Sequence, residues 1–260
     1  MSKVLLSELD RKLTQLMPEI NRQLSAGFVK SNKVIYKSGR QDSISVVTRL
    51  DRQIETYLKS ALKKILPSAG FIGEETAVAP AAEYNWIVDP IDGTLNFSRR
   101  IPIFCVSIAL WHNNEPVYGL VSLPLQRQIY TVLTGRHFGS KPKPTRKPLI
   151  TYAVVGDKSL HERIYSAITG VVLNPKNYGS CVFQGSGIAL GRIDAGVFIN
   201  QAIWDIGAVI LLVKQAGLAI KWLSSPPDLA HDNLKKYQYS LVMGETNLTE
   251  KLCHILSQSA

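Results

Sequence analysis

The apolar positions along the chain follow two different rhythms. Leu13, Leu16, Met17, Ile20 and Leu24 recur at steps of three and four, the spacing of one face of an amphipathic helix. Ser7 and Asp10 form an S-x-x-D pattern just ahead of them, which predicts the helix start. A second stripe, Leu50, Ile54, Leu58, Leu62 and Ile65, predicts a helix over about 44–66. The rhythm then changes. Short apolar runs at 86–88, 103–111, 117–123, 128–133 and 149–155 read as strands, and His112-Asn113-Asn114 reads as a hairpin turn between two of them. Helical patterns return at about 158–168, 180–190, 205–216 and 247–257, with strand-like runs at 195–199, 218–223 and 239–243. The result is a mixed chain, strand-rich in the middle of its first half and alternating in its second.

Length is consistent with one large core or with two tightly joined halves: the chain has 260 residues, 45% hydrophobic and 19% charged, an ordinary balance for a globular protein. No apolar run approaches the ~20 residues of a membrane-spanning helix, and no secretory signal pattern opens the chain, so a cytoplasmic protein without a membrane partner is expected. Cys105, Cys181 and Cys253 have no CxxC spacing and read as buried reduced thiols, neither a disulfide framework nor a zinc site. The segment 139–148, GSKPKPTRKP, reads as an exposed loop and as the joint between the halves.

Charge is distributed unevenly. The formal net charge is +10, yet Ile65 to Ser98 holds no Lys, Arg or His and five acids: Glu74, Glu75, Glu83, Asp89 and Asp92. Pro116 to Gly156 holds no acid and six Lys or Arg. The first stretch is suited to cations and the second to anions.

Within the acidic stretch, WIVDPIDGTLNF (86–97) carries the chemistry. A buried strand ends in Asp89, Pro90 stops it, and Asp92-Gly93-Thr94 follows. Carboxylates three residues apart around a forced turn can converge on one point, and hard divalent cations take oxygen ligands of this kind. The Ile91 carbonyl between them is a further candidate ligand. Gly93 and Thr94 would open a helix whose free N–H groups favour a phosphate. D-P-x-D-G is also simply a good turn sequence. Likewise Glu74-Glu75 in FIGEET also reads as a solvated surface pair, Asp51 as an acid favoured at a helix start, and Asp205 as a helix N-cap.

FIGEET, WIVDPIDGTLNF and WDIGAVILLVKQAG, in this order, resemble the inositol monophosphatase family of lithium-sensitive, magnesium-dependent phosphatases. VTRLD at 47–51 and GRIDAGVF at 191–198 resemble two further family segments, and the likeness runs from about residue 5 to 245. The resemblance implies an α+β fold, the layered αβαβα sandwich of the inositol monophosphatase and fructose-1,6-bisphosphatase type. It implies one phosphatase domain in two halves, about 1–140 holding most metal ligands and about 141–260 contributing Asp205. It further implies that Glu74, Asp89, the Ile91 carbonyl, Asp92 and Asp205 hold two or three Mg²⁺ ions, and that the chain is a homodimer. By the same likeness Glu74 and Thr94 orient the attacking water, with Asp51 behind them. Asp92, Gly93, Thr94, Gly179, Ser180, Cys181 and Lys37 would contact substrate.

The chemistry implied is hydrolysis of a small phosphate monoester by metal-activated water, without a protein nucleophile. Leu95-Asn96-Phe97 after the central Asp-Gly-Thr is closer to inositol-phosphate enzymes than to nucleotide-cleaving relatives, so an inositol-1-phosphate-like monoester ranks first. A 3'(2'),5'-bisphosphate nucleotide or a sugar bisphosphate is the alternative. Phe198 stands seven residues before Asp205, where inositol-specific members carry an acid that contacts substrate hydroxyls. An alternative of another class is a partner of RNA or the transcription machinery, suggested by the basic stretch.

Overall fold

The computed structural model describes residues 3–30, 34–36, 46–76, 82–133, 147–234 and 236–258. Lys37 and residues 139–146 of the basic segment lie outside them. The chain opens with two helices, α1 (Lys3–Val29) and α2 (Arg49–Ile65), separated by the paired strands β1 (Val34–Tyr36) and β2 (Val46–Thr48). A five-stranded sheet follows, built from β3 (Gly70–Gly73), β4 (Tyr84–Asp92), β5 (Cys105–His112), β6 (Glu115–Leu123) and β7 (Gln128–Thr131) in that order. The short α3 (Thr94–Ser98) sits between β4 and β5. Only β3 and β4 run parallel; the other neighbours are antiparallel.

The second half holds β8 (Ile150–Val154), α4 (Lys158–Thr169), α5 (Cys181–Ala189), β9 (Ala195–Gln201), α6 (Ile203–Ile206), α7 (Val209–Gln215), β10 (Ala219–Trp222), β11 (Tyr239–Gly244) and α8 (Thr246–Gln258). Its four strands form a sheet ordered β10-β11-β9-β8.

Three separate cores define five layers. Trp86, Val88, Val106, Ile108 and Leu120, on one face of the first sheet, pack with the stripes of α1 and α2. Ile87, Ala109, Trp111 and Val121, on the other face, pack with α5 and α7 and with Phe198, Leu241 and Met243 of the second sheet. Val197, Ile199 and Val242, on the far face of that sheet, pack with α4 and α8. Strand side chains alternate faces, so each strand feeds two cores. The order is helix, sheet, helix, sheet, helix, the αβαβα sandwich expected.

Local differences have physical causes. The first helix begins at Lys3, so Ser7 and Asp10 lie inside it; Asp10 accepts a hydrogen bond from Tyr118 Oη at 2.8 Å rather than capping the helix. The second helix starts at Arg49, because Val46–Thr48 pair as a strand. The single helix expected at 205–216 is broken near Gly207, whose carbonyl accepts from the indole of Trp111 at 3.1 Å. The hairpin at Asn113 forms as expected, with Asn113 at a positive φ of 54°. All three cysteines are free thiols, two of them buried.

Candidate metal centre

Asp89 and Asp92 share one strand, three residues apart. In a regular strand that spacing puts two side chains on opposite faces. A bulge removes the conflict: Asp89 pairs with Ser107 and Asp92 with Cys105, so three steps on β4 match two on β5. The Asp89 carboxylate also accepts from the N–H of Ile91 at 2.9 Å, which tightens the turn at Pro90. Both carboxylates then face the middle helix layer.

Asp205 arrives from that layer. The β4 residue Ile87 and the indole of Trp111 seat Gly207 on the sheet, which brings α6 over the strand end. Asp205 is the third residue of α6 rather than its N-cap, and its carboxylate accepts from the N–H of Ala202 at 2.9 Å. One carboxylate oxygen from each of Asp89, Asp92 and Asp205 lies within 4.8 Å of the others. Opposite oxygens around a six-coordinate Mg²⁺ stand about 4.2 Å apart, so this span suits a hard divalent cation. Glu74, just past β3, lies close enough to Asp89 for its charge to push that carboxyl up, but it is not one of the three acids whose oxygens converge within 4.8 Å.

The protonation of these groups reflects their crowding. Asp89 and Asp92 are 1% and 5% exposed. Burial, then the charges of Glu74, Asp92 and Asp205, hold the Asp89 carboxyl well above its ordinary range. Burial pushes Asp92 up to about 7, opposed by hydrogen bonds from Ser180 and from the N–H groups of Val182 and Cys181. Burial and the neighbouring carboxylates also raise the thiols of Cys105 and Cys181, so both stay protonated and neither is an activated nucleophile. A cation removes the repulsion among the acids, and every donor is an oxygen, so the residues fit Mg²⁺.

The remaining predicted residues fall around this cluster. Thr94 opens α3 after Gly93, whose φ of 85° places it in the left-handed region. The Thr94 hydroxyl lies 2.9 Å from the Ile91 carbonyl and 3.2 Å from the fully buried carboxylate of Asp51. Ser180 caps α5, accepting from the N–H of Phe183 at 3.2 Å, and its hydroxyl donates to Asp92. The N–H groups of Cys181 and Val182 point at Asp92 at 3.2 and 3.1 Å. Ser180 and Cys181, expected against substrate, therefore also seat a carboxylate of the cluster. Phe198 is fully buried between the sheet and the middle helices, its ring against the backbone of Gly196. An acid placed there would be buried as well.

Two residues escaped the sequence reading. The Asn96 amide donates to the carbonyls of Ile103 (2.9 Å) and Tyr178 (2.7 Å), joining the loop after α3 to the loop before α5. It lies so close to Gly179 that a Cβ there would meet it at 3.0 Å, and Gly179 has a φ of 70°. Glu55, four residues after Asp51 on α2, is fully buried and accepts from the N–H groups of Glu75 and Thr76. An acid between Ile54 and Leu58 in an apolar stripe was the available signal.

Comparison with known proteins agrees with this geometry. Residues 6–258 match the model of the inositol monophosphatase family. Inositol monophosphatase 2 of Solanum lycopersicum is 32% identical over 211 residues, covering 74% of this chain and 78% of that protein. Among solved structures, the extragenic suppressor protein SuhB of Bartonella henselae superposes with a TM-score of 0.82 at 24% identity, covering 97% of this chain and 100% of the other. An IMPase/NADP phosphatase complexed with Mg²⁺ and phosphate gives a TM-score of 0.79 at 19% identity, covering 96% and 95%. No helix among the described residues is long and apolar enough to cross a membrane.

Proposed function

The chain belongs to the inositol monophosphatase family and is a phosphoric monoester hydrolase, and from that premise we propose that it cleaves a small inositol-1-phosphate-like monoester with Mg²⁺ held by Glu74, Asp89, Asp92 and Asp205. The observation that carries this reading is the convergence of three aspartate oxygens within 4.8 Å in a buried site. Bound there, Mg²⁺ supplies charge neutralisation for the phosphoryl group and acidifies water. The Ile91 carbonyl, 2.9 Å from the Thr94 hydroxyl oxygen, is a further oxygen for the same cations when that hydroxyl turns its hydrogen to Asp51.

The protein's own groups hold the proton. Thr94 donates its hydroxyl hydrogen to Asp51, which leaves the threonine oxygen to accept from the attacking water. Glu74, just past β3 and beside the same end of the parallel β4, orients that water as well. The backbone N–H groups of Gly93 and Thr94 orient the phosphate. Near α5, Gly179, Ser180 and Cys181 border the substrate's hydroxyl-bearing side. Phosphoryl transfer needs mainly positioning and charge balance, which this arrangement offers without a covalent intermediate.

A phosphate-release screen tests the reading. Inositol 1-phosphate should be turned over in Mg²⁺ faster than fructose 1,6-bisphosphate, 3'-phosphoadenosine 5'-phosphate or simple sugar phosphates, and chelation should stop the reaction. Preference for a bisphosphate would move the substrate assignment to the nucleotide or sugar-bisphosphate class. Turnover unchanged by chelator would overturn the metal assignment. By family membership we also expect lithium inhibition and a homodimer, read by turnover in millimolar-range lithium and by sedimentation.

A further inference from the structure

Helix α2 presents two fully buried carboxylates one turn apart, Asp51 and Glu55, on the face that packs against β4. Asp51 reaches Thr94, at the start of α3 just after β4. Glu55 reaches the loop after β3, where it accepts from the N–H of Glu75 at 2.8 Å and of Thr76 at 2.7 Å.

That second contact occurs where the sheet stops supporting the chain. The β3–β4 ladder ends at Gly73 opposite Val88, and the N–H of Glu74 makes one more bond, to the Val88 carbonyl at 3.3 Å. The N–H groups of the next two residues have moved beyond the ladder, and a buried N–H without a partner is costly. Glu55 supplies both acceptors. Gly73 completes the fit, since a Cβ there would lie 2.5 Å from the Glu55 carboxyl carbon. The residue so bracketed is Glu74, whose carboxyl meets Asp89.

We infer that Glu55 is a positioning residue for the metal site: its carboxylate clamps the backbone on the C-terminal side of Glu74 and so sets how well that side chain meets a divalent cation. Asp51 and Glu55 make α2 a rail that holds the two loops of the site in register. The inference rests on the reading of Glu74 and its aspartate neighbours as the metal centre.

The test uses the full chain and two variants that disturb the clamp from opposite sides. Glu55→Gln keeps volume and one acceptor oxygen but turns an amide N–H toward a backbone N–H. Gly73→Ala leaves Glu55 in place and displaces its carboxyl. Calorimetric titration with Mg²⁺ should show affinity weaker by on the order of tenfold in each, the scale on which partners of metal ligands act. The double variant should fall well short of the product of the two effects, because both act on one contact. Turnover at saturating Mg²⁺ should recover to within about threefold, since the reacting groups themselves are intact. A merely structural Glu55 would lower the melting temperature and leave Mg²⁺ affinity, measured well below it, within twofold; that result in both variants overturns the inference. Asp89→Asn is the control: if it too leaves Mg²⁺ affinity unchanged, the metal-centre reading fails with it. If it abolishes binding while the two clamp variants do not, only the role of Glu55 is lost.

Discussion

The two walls of the acidic cluster are held in opposite ways. On the Asp89 side the neighbours are like charges, Glu74, Asp92 and Asp205, which together with burial drive the carboxyl toward its protonated form. On the Asp92 side three donors from the start of α5 meet the carboxylate, so it is already seated before any cation arrives. One wall is a strained arrangement that needs positive charge; the other is pre-organised by hydrogen bonds. Both acids lie on one strand three residues apart, so the difference comes from what packs against each: Glu74 of the first half and Asp205 of the second beside Asp89, the start of α5 beside Asp92.

The largest expected effect treats the walls alike. Asp89→Asn and Asp92→Asn should each reduce Mg²⁺-dependent turnover by on the order of 10³-fold, several kcal/mol of lost charge stabilisation at ~1.4 kcal/mol per decade. Steady-state kinetics across a Mg²⁺ range measures this, and near-normal activity in either variant would remove that aspartate from the site. Next in size is Ser180→Ala, which takes one donor from Asp92. Catalytic efficiency should drop roughly tenfold, the scale of a single hydrogen bond to a charged group.

Thermal stability should then separate the walls. In chelator at neutral pH, Asp89→Asn should raise the melting temperature, by about 2–4 °C for each kcal/mol of repulsion relieved in a chain of this size. Asp92→Asn should give no such rise, because an amide cannot accept from all three α5 donors. Equal shifts in the two variants would erase the distinction.

The smallest effect is a pH trend. The folded-state carboxyl of Asp92 is raised to about 7 from an ordinary 3.8. Between those values the folded chain binds more protons than the unfolded chain, so this group's contribution is full below about 4 and is lost as pH rises through 7. Mg²⁺ binds the ionised form. The gap in melting temperature between Mg²⁺ and chelator should therefore widen from pH 5 to pH 8. A constant gap would mean that the cluster is already ionised across the range.

Much of this arrangement was legible along the chain. The stripes of α1 and α2 and the strand at 86–88 follow from apolar spacing, but Pro90, expected to stop that strand, lies inside β4, which bulges there and runs on to Asp92. Glu74, Asp89 and Asp92 stood out because a basic chain had gathered acids in one stretch. Other features were hidden. Ser7 and Asp10 have a capping pattern, but the helix begins a turn earlier, at Lys3, through residues Val4 and Leu5 that are themselves exposed. Glu55 is hidden because its two backbone partners lie 20 and 21 residues away along the chain. Phe198 stands out along the chain as a position seven residues before Asp205, and only burial reveals that its ring belongs to the core, so that Phe198→Glu should destabilise the fold before it alters specificity.

The sequence alone determined most of the element types, the acidic stretch and which carboxylates were candidates, because periodicity and local charge are properties of neighbouring residues. It also carried the family, through motifs whose spacing survives in this chain. The tertiary structure decided how those carboxylates meet. A bulge between β4 and β5 turns Asp89 and Asp92 to the same face, and the docking of Gly207 on Trp111 carries Asp205 over them. The start of α5 closes on Asp92 from 88 residues away. These are long-range contacts set by packing, and no local pattern encodes which of two neighbouring acids will be met by hydrogen-bond donors and which by like charge.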